Sequence, residues 1–234
     1  MKTAILSDAH GNWPALRKVL AEIERLGCDR IISLGDVTGY YAQPAQCLDA
    51  LVEREAIQML GNHDVYLVKG TACDHSKTVA NLIIHQRKEI YGARLEILKT
   101  FKPRHTECGL SCVHGSWRNP VDEYLYKITE NDLPDGHRYY FAGHTHVQHL
   151  AVFHMKTFCN PGAVGQPRDG DPRAAFAVLD EHGITLHRVA YDIEETADAM
   201  RAAGYNEPRL WENLFLGTQI GGRIDTITTV NSHS

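Results

Sequence analysis

Five short polar segments hold residues that could bind metal: Ser7-Asp8-Ala9-His10, Gly35-Asp36, Gly61-Asn62-His63-Asp64, Val113-His114-Gly115 and Gly143-His144-Thr145-His146. Asp8 and His10 are two residues apart, as are His144 and His146. On extended backbone such neighbours point the same way, so each pair can grip one ion or two adjacent ones. Asp36, Asn62 and His114 add a carboxylate, an amide oxygen and an imidazole. Oxygen and nitrogen donors without thiolates suit Mn²⁺, Fe or Zn²⁺ rather than a cysteine-type structural zinc site. Seven donors are too many for one tetrahedral ion and suit two ions sharing a carboxylate. Two such ions, about 3.5–4 Å apart, can hold a bridging hydroxide and grip a phosphate across its oxygens. The chemistry would be phosphoester hydrolysis by in-line attack, with no seryl or cysteinyl nucleophile.

An apolar run precedes each segment: Ala4 to Leu6, Ile31 to Leu34, Ile57 to Leu60, Ser111 to Val113 and Tyr139 to Ala142. These read as strands whose carboxyl ends carry the polar groups, and in open α/β sheets ligands bind at that edge. Between the first strands, Asn12 can cap a helix with Pro14 in its first turn and Leu16, Val19, Leu20, Ile23 and Leu26 on one face. A second helix is expected around Ala45 to Arg54. Strand, helix, strand, helix, strand implies parallel strands with right-handed crossovers. Residues 75 to 100 read as a longer helical region, with Leu82, Ile83, Ile90, Leu95 and Leu98 as buried positions. Short strands follow at about 104–108, 110–114, 138–142, 148–153, 157–159, 174–180 and 184–190, then helices near 193–203 and 208–216. Residues 1–234 are read as a single α/β domain with a strand-rich second half.

The formal charge of −5 and pI near 6.3 lack the basic footprint of a nucleic-acid binder, so no stable nucleic-acid complex is expected. A small phosphorylated substrate, including a nucleotide, remains compatible because metal can supply positive charge. No apolar run reaches membrane-spanning length, and no secretory leader is evident, so a cytoplasmic protein is expected. Cys28, Cys47, Cys73, Cys108, Cys112 and Cys159 show no zinc-knuckle or redox spacing and read as reduced, partly buried thiols. Histidine is the compositional anomaly, at 14 of 234 residues.

The order D-x-H, G-D, G-N-H-D, H and G-H-x-H over residues 8 to 146 resembles the calcineurin-like metallophosphoesterase superfamily. Each block alone occurs by chance; five in order are specific. The resemblance implies a four-layer α/β/β/α sandwich of two mixed β-sheets flanked by helices. It also implies two divalent ions, Mn²⁺ first, with Fe, Zn²⁺ or Ni²⁺ as alternatives. By the same resemblance Asp8, His10 and His146 would hold one ion, Asn62, His114 and His144 the other, and Asp36 would bridge. His63 would face the substrate, stabilising a phosphoryl oxygen or protonating the leaving group, and Asp64 would orient His63. The runs 158-FCNPGAVGQPRDGDPRAAFAVLD-180 and 114-HGSWRNPVDEYL-125 are similar to bacterial and archaeal phosphoesterases of a diadenosine tetraphosphatase-related subgroup.

One departure narrows the expected chemistry. Protein serine/threonine phosphatases of this superfamily carry an arginine soon after the G-D block, whereas this chain reads 35-GDVTGYY-41. A bidentate arginine matches a phosphate with free oxygens. Its absence favours a phosphodiester or dinucleotide-type substrate, with a phosphomonoesterase (including a protein phosphatase) or a non-catalytic scaffold of the same fold as alternatives. Arg118 and Arg168 are candidate phosphate contacts, and Tyr40 a candidate partner for a planar group, as is Trp117 if it is not simply packed. Asn12, first a helix cap, is a further candidate because its helix N-terminus faces the clustered residues. The apolar and aromatic residues near Trp211 and Phe215 could serve a core or an interface, so the oligomeric state stays open.

Overall fold

The computed structural model describes residues 1–71, 77–107 and 109–230. Cys73, Cys108 and the first residues of the expected 75–100 helical region lie outside them. The amino-terminal half alternates as expected: β1 (Thr3–Leu6), α1 (Trp13–Arg25), β2 (Arg30–Ser33), α2 (Pro44–Glu53) and β3 (Ile57–Gln58). Asn12 caps α1 by accepting from the Ala15 N–H, and Pro14 occupies the first turn, where no N–H is missed. Leu16, Val19, Leu20 and Ile23 bury one face of α1, each contributing on the order of 1.5–3 kcal/mol.

Three helices follow, α3 (Asn62–Lys69), α4 (Lys77–Gln86) and α5 (Ala93–Lys99). The expected long helical region is therefore two helices, broken at Gly92, whose φ of 54° leaves the right-handed helical range. Leu82, Ile83, Ile90 and Leu98 are buried as the periodicity requires. The second half comprises β4 (Arg104–Glu107), β5 (Leu110–Val113), β6 (Lys127–Ile128), β7 (Tyr139–Ala142), β8 (Gln148–Val152), β9 (Thr157–Pro161), β10 (Ala174–Asp180), β11 (Gly183–Val189), α6 (Ile193–Ala202) and β12 (Thr228–Thr229). The expected helix at 208–216 is two short 3₁₀ turns, Pro208–Leu210 and Glu212–Leu216, closed by bonds such as Leu210 N–H to Glu207 O. Trp211 there is buried, whereas Phe215 is exposed.

Two five-stranded mixed sheets form, in the orders β11-β10-β1-β2-β3 and β4-β5-β7-β9-β8. β1, β2 and β3 run parallel, as do β5, β7 and β9, while β10, β11, β4 and β8 are antiparallel to their neighbours. The strand period of two divides each strand between layers. Ile5 faces the second sheet with Ile32, Leu34, Phe141 and Cys159, whereas Ala4 and Leu6 face α1 and α2. On the outer side of the second sheet, Val113, Tyr140 and Phe158 pack under Trp117, Leu125, Ile128, Leu133 and Ile227. Trp117 is thus a packing residue, its indole N–H donating to Ser111 Oγ at 2.9 Å. Among the described residues no helix is long and apolar enough to cross a membrane.

Candidate metal centre and active site

Every expected ligand follows the carboxyl end of a parallel strand: Asp8 and His10 after β1, Asp36 after β2, Asn62 after β3, His114 after β5, and His144 and His146 after β7. Adjacent loops are stitched by backbone bonds, among them Asp8 N–H to Gly35 O (3.0 Å), His10 N–H to Asp36 O (2.9 Å) and Gly143 N–H to His114 O (2.9 Å). The chain turns sharply here. Asp8, His10, Asp36, His144 and His146 all adopt left-handed φ values between 51° and 65°. Such backbone is costly for non-glycine residues and persists where surroundings enforce it, commonly at functional sites. Gly61 is required by crowding, since a Cβ there would lie 2.0 Å from Asp36 Oδ1.

Three donor clusters result: Asp8, His10 and His146; Asp36, His114 and His144; and His10, Asp36 and His63. In the first, His146 Nε2 lies 3.2 Å and His10 Nε2 3.6 Å from Asp8 Oδ1. In the second, His114 Nε2 lies 3.4 Å from Asp36 Oδ2 and 3.2 Å from His144 Nδ1. Donors bound at about 2.0–2.2 Å to one ion sit roughly 3–3.5 Å from each other, which these separations approach.

The hydrogen-bond pattern supports the fit. His10 Nδ1 faces Thr38 O at 2.8 Å and His146 Nδ1 faces Gln166 O at 2.7 Å, so each carries its proton there. Their Nε2 lone pairs then meet at 3.1 Å, an arrangement that a cation reconciles and a hydrogen bond does not. Asp8 Oδ1, Asp36 Oδ2 and Asn62 Oδ1 are buried without hydrogen-bond partners. Buried polar atoms are rarely left so, and metal donors are a standing reason. Burial disfavours a charged His114, yet the adjacent Asp36 carboxylate raises its pKa to about 9, so an arriving ion would displace a proton there.

Asn62, His63 and Asp64 open α3, and their directions differ because successive helical residues are about 100° apart. This corrects one expectation, that Asp64 orients the His63 ring. Its two oxygens instead accept from Asp36 N–H (2.8 Å), Thr38 N–H (3.1 Å), Thr38 Oγ1 (2.8 Å) and the Gly61 N–H (3.2 Å). Asp64 therefore caps α3 and ties it to the Asp36 loop. Burial, reinforced by Asp36, raises its pKa to about 7. His63 Nδ1 is buried without a partner, and its ring packs 4.9 Å from that of Tyr40. Burial lowers its pKa to about 4, so the ring is uncharged at neutral pH.

Asn12 is also corrected as a substrate contact. It is fully buried; its amide donates to Gly165 O, and its oxygen accepts from Ala15 N–H and Thr196 Oγ1. Arg118 points to Glu123 (2.8 Å) with its side chain 69% exposed, which makes it a surface ion pair. Arg168 is buried and faces the centre. Its Nε and Nη2 reach Gln166 Oε1 (3.1 and 2.7 Å), and Nη2 donates to the Tyr40 hydroxyl at 3.1 Å. Beside them lies a cavity of about 440 Å³ that Tyr124, Tyr126, Gln219 and Arg223 also line. Sequence reading missed the two tyrosines. Their spacing in 124-YLY-126, which sends both rings to one side, was the available signal.

Residues 1–183 match the model of the calcineurin-like phosphoesterase superfamily domain. An uncharacterized protein of Methanocaldococcus jannaschii is 30% identical over 92% of this chain and 97% of its own length. Phosphodiesterase YfcE of Escherichia coli K12 is 30% identical over 80% of this chain and 91% of its own. The crystal structure of a metallophosphoesterase from Sphaerobacter thermophilus superposes with a TM-score of 0.80 at 32% identity, covering 93% of this chain and 99% of that one. With a family match over most of its length and donor clusters at the shared strand ends, the chain belongs to the calcineurin-like phosphoesterase superfamily and is a metal-dependent phosphoesterase.

Proposed function

We propose that the chain hydrolyses a phosphodiester or dinucleotide-type substrate. The observation that carries this is the arginine beside the centre. Position 39 is a glycine and position 40 a tyrosine, where a protein phosphatase would place its clamp. A Cβ at Gly39 would lie 2.1 Å from His10 Nδ1, so position 39 has no room for a side chain, and Tyr40 fills the next position. Arg168 supplies the positive charge instead, but Gln166 Oε1 already occupies its Nε/Nη2 edge. An arginine so engaged offers single contacts rather than the fork that suits a phosphate with several free oxygens. A diester, with its lower charge, fits that provision. The 30% identical relative named phosphodiesterase YfcE supports the same reading.

In this reading Asp8, His10 and His146 hold one divalent ion and Asn62, His114 and His144 the other, with Asp36 between them. When bound, the ions supply an activated water and neutralise charge on the phosphoryl oxygens. The chain's own residues do the rest. Thr38 O and Gln166 O fix the tautomers of His10 and His146 through their Nδ1 protons. Neutral His63 offers one N–H to a phosphoryl or departing oxygen. Asp64 keeps His63 and Asp36 in mutual register, because it binds the backbone of both segments.

The test compares bis-p-nitrophenyl phosphate with p-nitrophenyl phosphate on Mn²⁺-loaded protein. The diester is expected to give the higher kcat/KM, by roughly tenfold or more, equivalent to about 1.4 kcal/mol in transition-state binding. A preference for the monoester would sink the diester reading and favour a phosphomonoesterase.

A further inference from the structure

Tyr124 stands out among the aromatic residues. Its ring stacks on that of His144, with centroids 3.8 Å apart and planes at 22°. It is also nearly parallel to Tyr126, with centroids 5.4 Å apart and planes at 2°. Tyr124 is nonetheless 46% exposed and lines the 440 Å³ cavity. His144 thus covers one face, and Tyr126 overlaps the other only at an offset, so the exposed part of the ring beside Tyr126 is what a planar group in the cavity would stack on.

The cavity is also lined by buried Arg168, whose guanidinium donates to two neutral groups, Gln166 Oε1 and the Tyr40 hydroxyl. A buried cation with neutral partners is a place for an anion. The rest of the lining is mixed, with Val79 and Ile220 apolar and Thr78, Gln219 and Arg223 offering hydrogen-bonding groups. Arg223 is held by Asp225, and Asp225 also accepts from the Tyr126 hydroxyl at 3.3 Å. The tyrosine pair, the rim and the carboxy-terminal segment therefore form one linked wall. The cavity lies within the 300–1,000 Å³ range of small-molecule sites and has room for more than a phosphate.

We propose that this cavity is the subsite for the planar ring of a nucleotide-type substrate, with Tyr124 as the stacking surface and Arg168 fixing the adjoining phosphate. The proposal deepens the reading of the chain as a phosphodiester hydrolase and rests on it. Tyr124 spans both parts of the site, because the ring that would carry the base also covers a candidate metal ligand. Recognition by stacking tolerates different bases, so the subsite selects for a ring more than for its identity.

The experiment measures binding by calorimetry of adenosine 5′-monophosphate and ribose 5-phosphate, which share the phosphate and differ in the ring. Metal-loaded protein in a His63→Ala background prevents turnover of either. The ring-bearing ligand is expected to bind roughly tenfold or more tightly. Tyr124→Ala should lower the ratio of the two affinities to about one with metal content, measured by elemental analysis, retained, and Tyr124→Phe should restore the ratio. Arg168→Gln should weaken both ligands alike. Equal affinities without a Tyr124 change, or an advantage that survives Tyr124→Ala, would overturn the subsite. Bis-p-nitrophenyl phosphate turnover by the unmodified protein is scored separately. Turnover with no ring advantage overturns the subsite and leaves the diester reading standing. A ring advantage without diester turnover supports the subsite and removes the diester reading.

Discussion

Asp36→Asn is expected to cost the protein its two-ion state and roughly 10⁴-fold in kcat/KM on any phosphoester it hydrolyses, about 5.4 kcal/mol of transition-state stabilisation. The size follows from where the carboxylate sits. Its Oδ2 is 3.4 Å from His114 Nε2 and 3.8 Å from His10 Nε2, so one oxygen faces both donor clusters. Its Oδ1 accepts the His63 N–H at 2.9 Å. Asparagine preserves the shape and can still accept that N–H, so the start of α3 should survive. It would remove the negative charge proposed to lie between two cations and replace one candidate donor oxygen with an amide nitrogen that cannot bind metal. Elemental analysis after metal loading, alongside circular dichroism, separates the outcomes. A folded variant that keeps two ions per chain would remove Asp36 from the bridging position.

His63→Ala should leave metal content unchanged and lower kcat by roughly 10²–10⁴-fold. Two arrangements compete for this histidine. It belongs to the possible donor cluster of His10, Asp36 and His63, so it could be a ligand. The lone-pair geometry argues otherwise. His10 Nε2 already faces His146 and Asp8, and Asp36 Oδ2 is nearer to His114. His63 then remains as the buried imidazole with an unpartnered Nδ1, packed beside Tyr40. Loss of rate with full metal occupancy assigns it to the substrate. Loss of a metal equivalent would assign it to the ions, and an unchanged rate would assign it to neither.

Much of this site was legible because strand ends announce themselves. Apolar runs such as Ala4 to Leu6 and Tyr139 to Ala142 end abruptly in Asp and His, and the parallel topology then gathers those ends at one edge. The first turn of α3 was harder. Gly61-Asn62-His63-Asp64 looks like a turn by composition, yet an acidic residue three positions after the cap is a helix-start signal. Reading it that way would also have placed Asp64 as a cap whose oxygens accept backbone N–H groups at the start of α3. β3 is shorter than its apolar run because Met59 still donates to Ser33 O, but the Leu60 N–H turns to Lys102 O. The left-handed backbone at five expected ligand positions and the cavity lined by Tyr124 and Arg168 depend on tertiary contacts between distant segments. Local pattern does not encode them.

Two ions are expected to occupy two specific donor sets. Anomalous diffraction from Mn²⁺-soaked crystals tests it directly. Two peaks are expected, about 3.5–4 Å apart. One should lie among Asp8, His10 and His146, the other among Asn62, His114 and His144, with the Asp36 carboxylate reaching both. A single peak would rule out the two-ion centre, and a peak bonded to His63 would make that histidine a ligand.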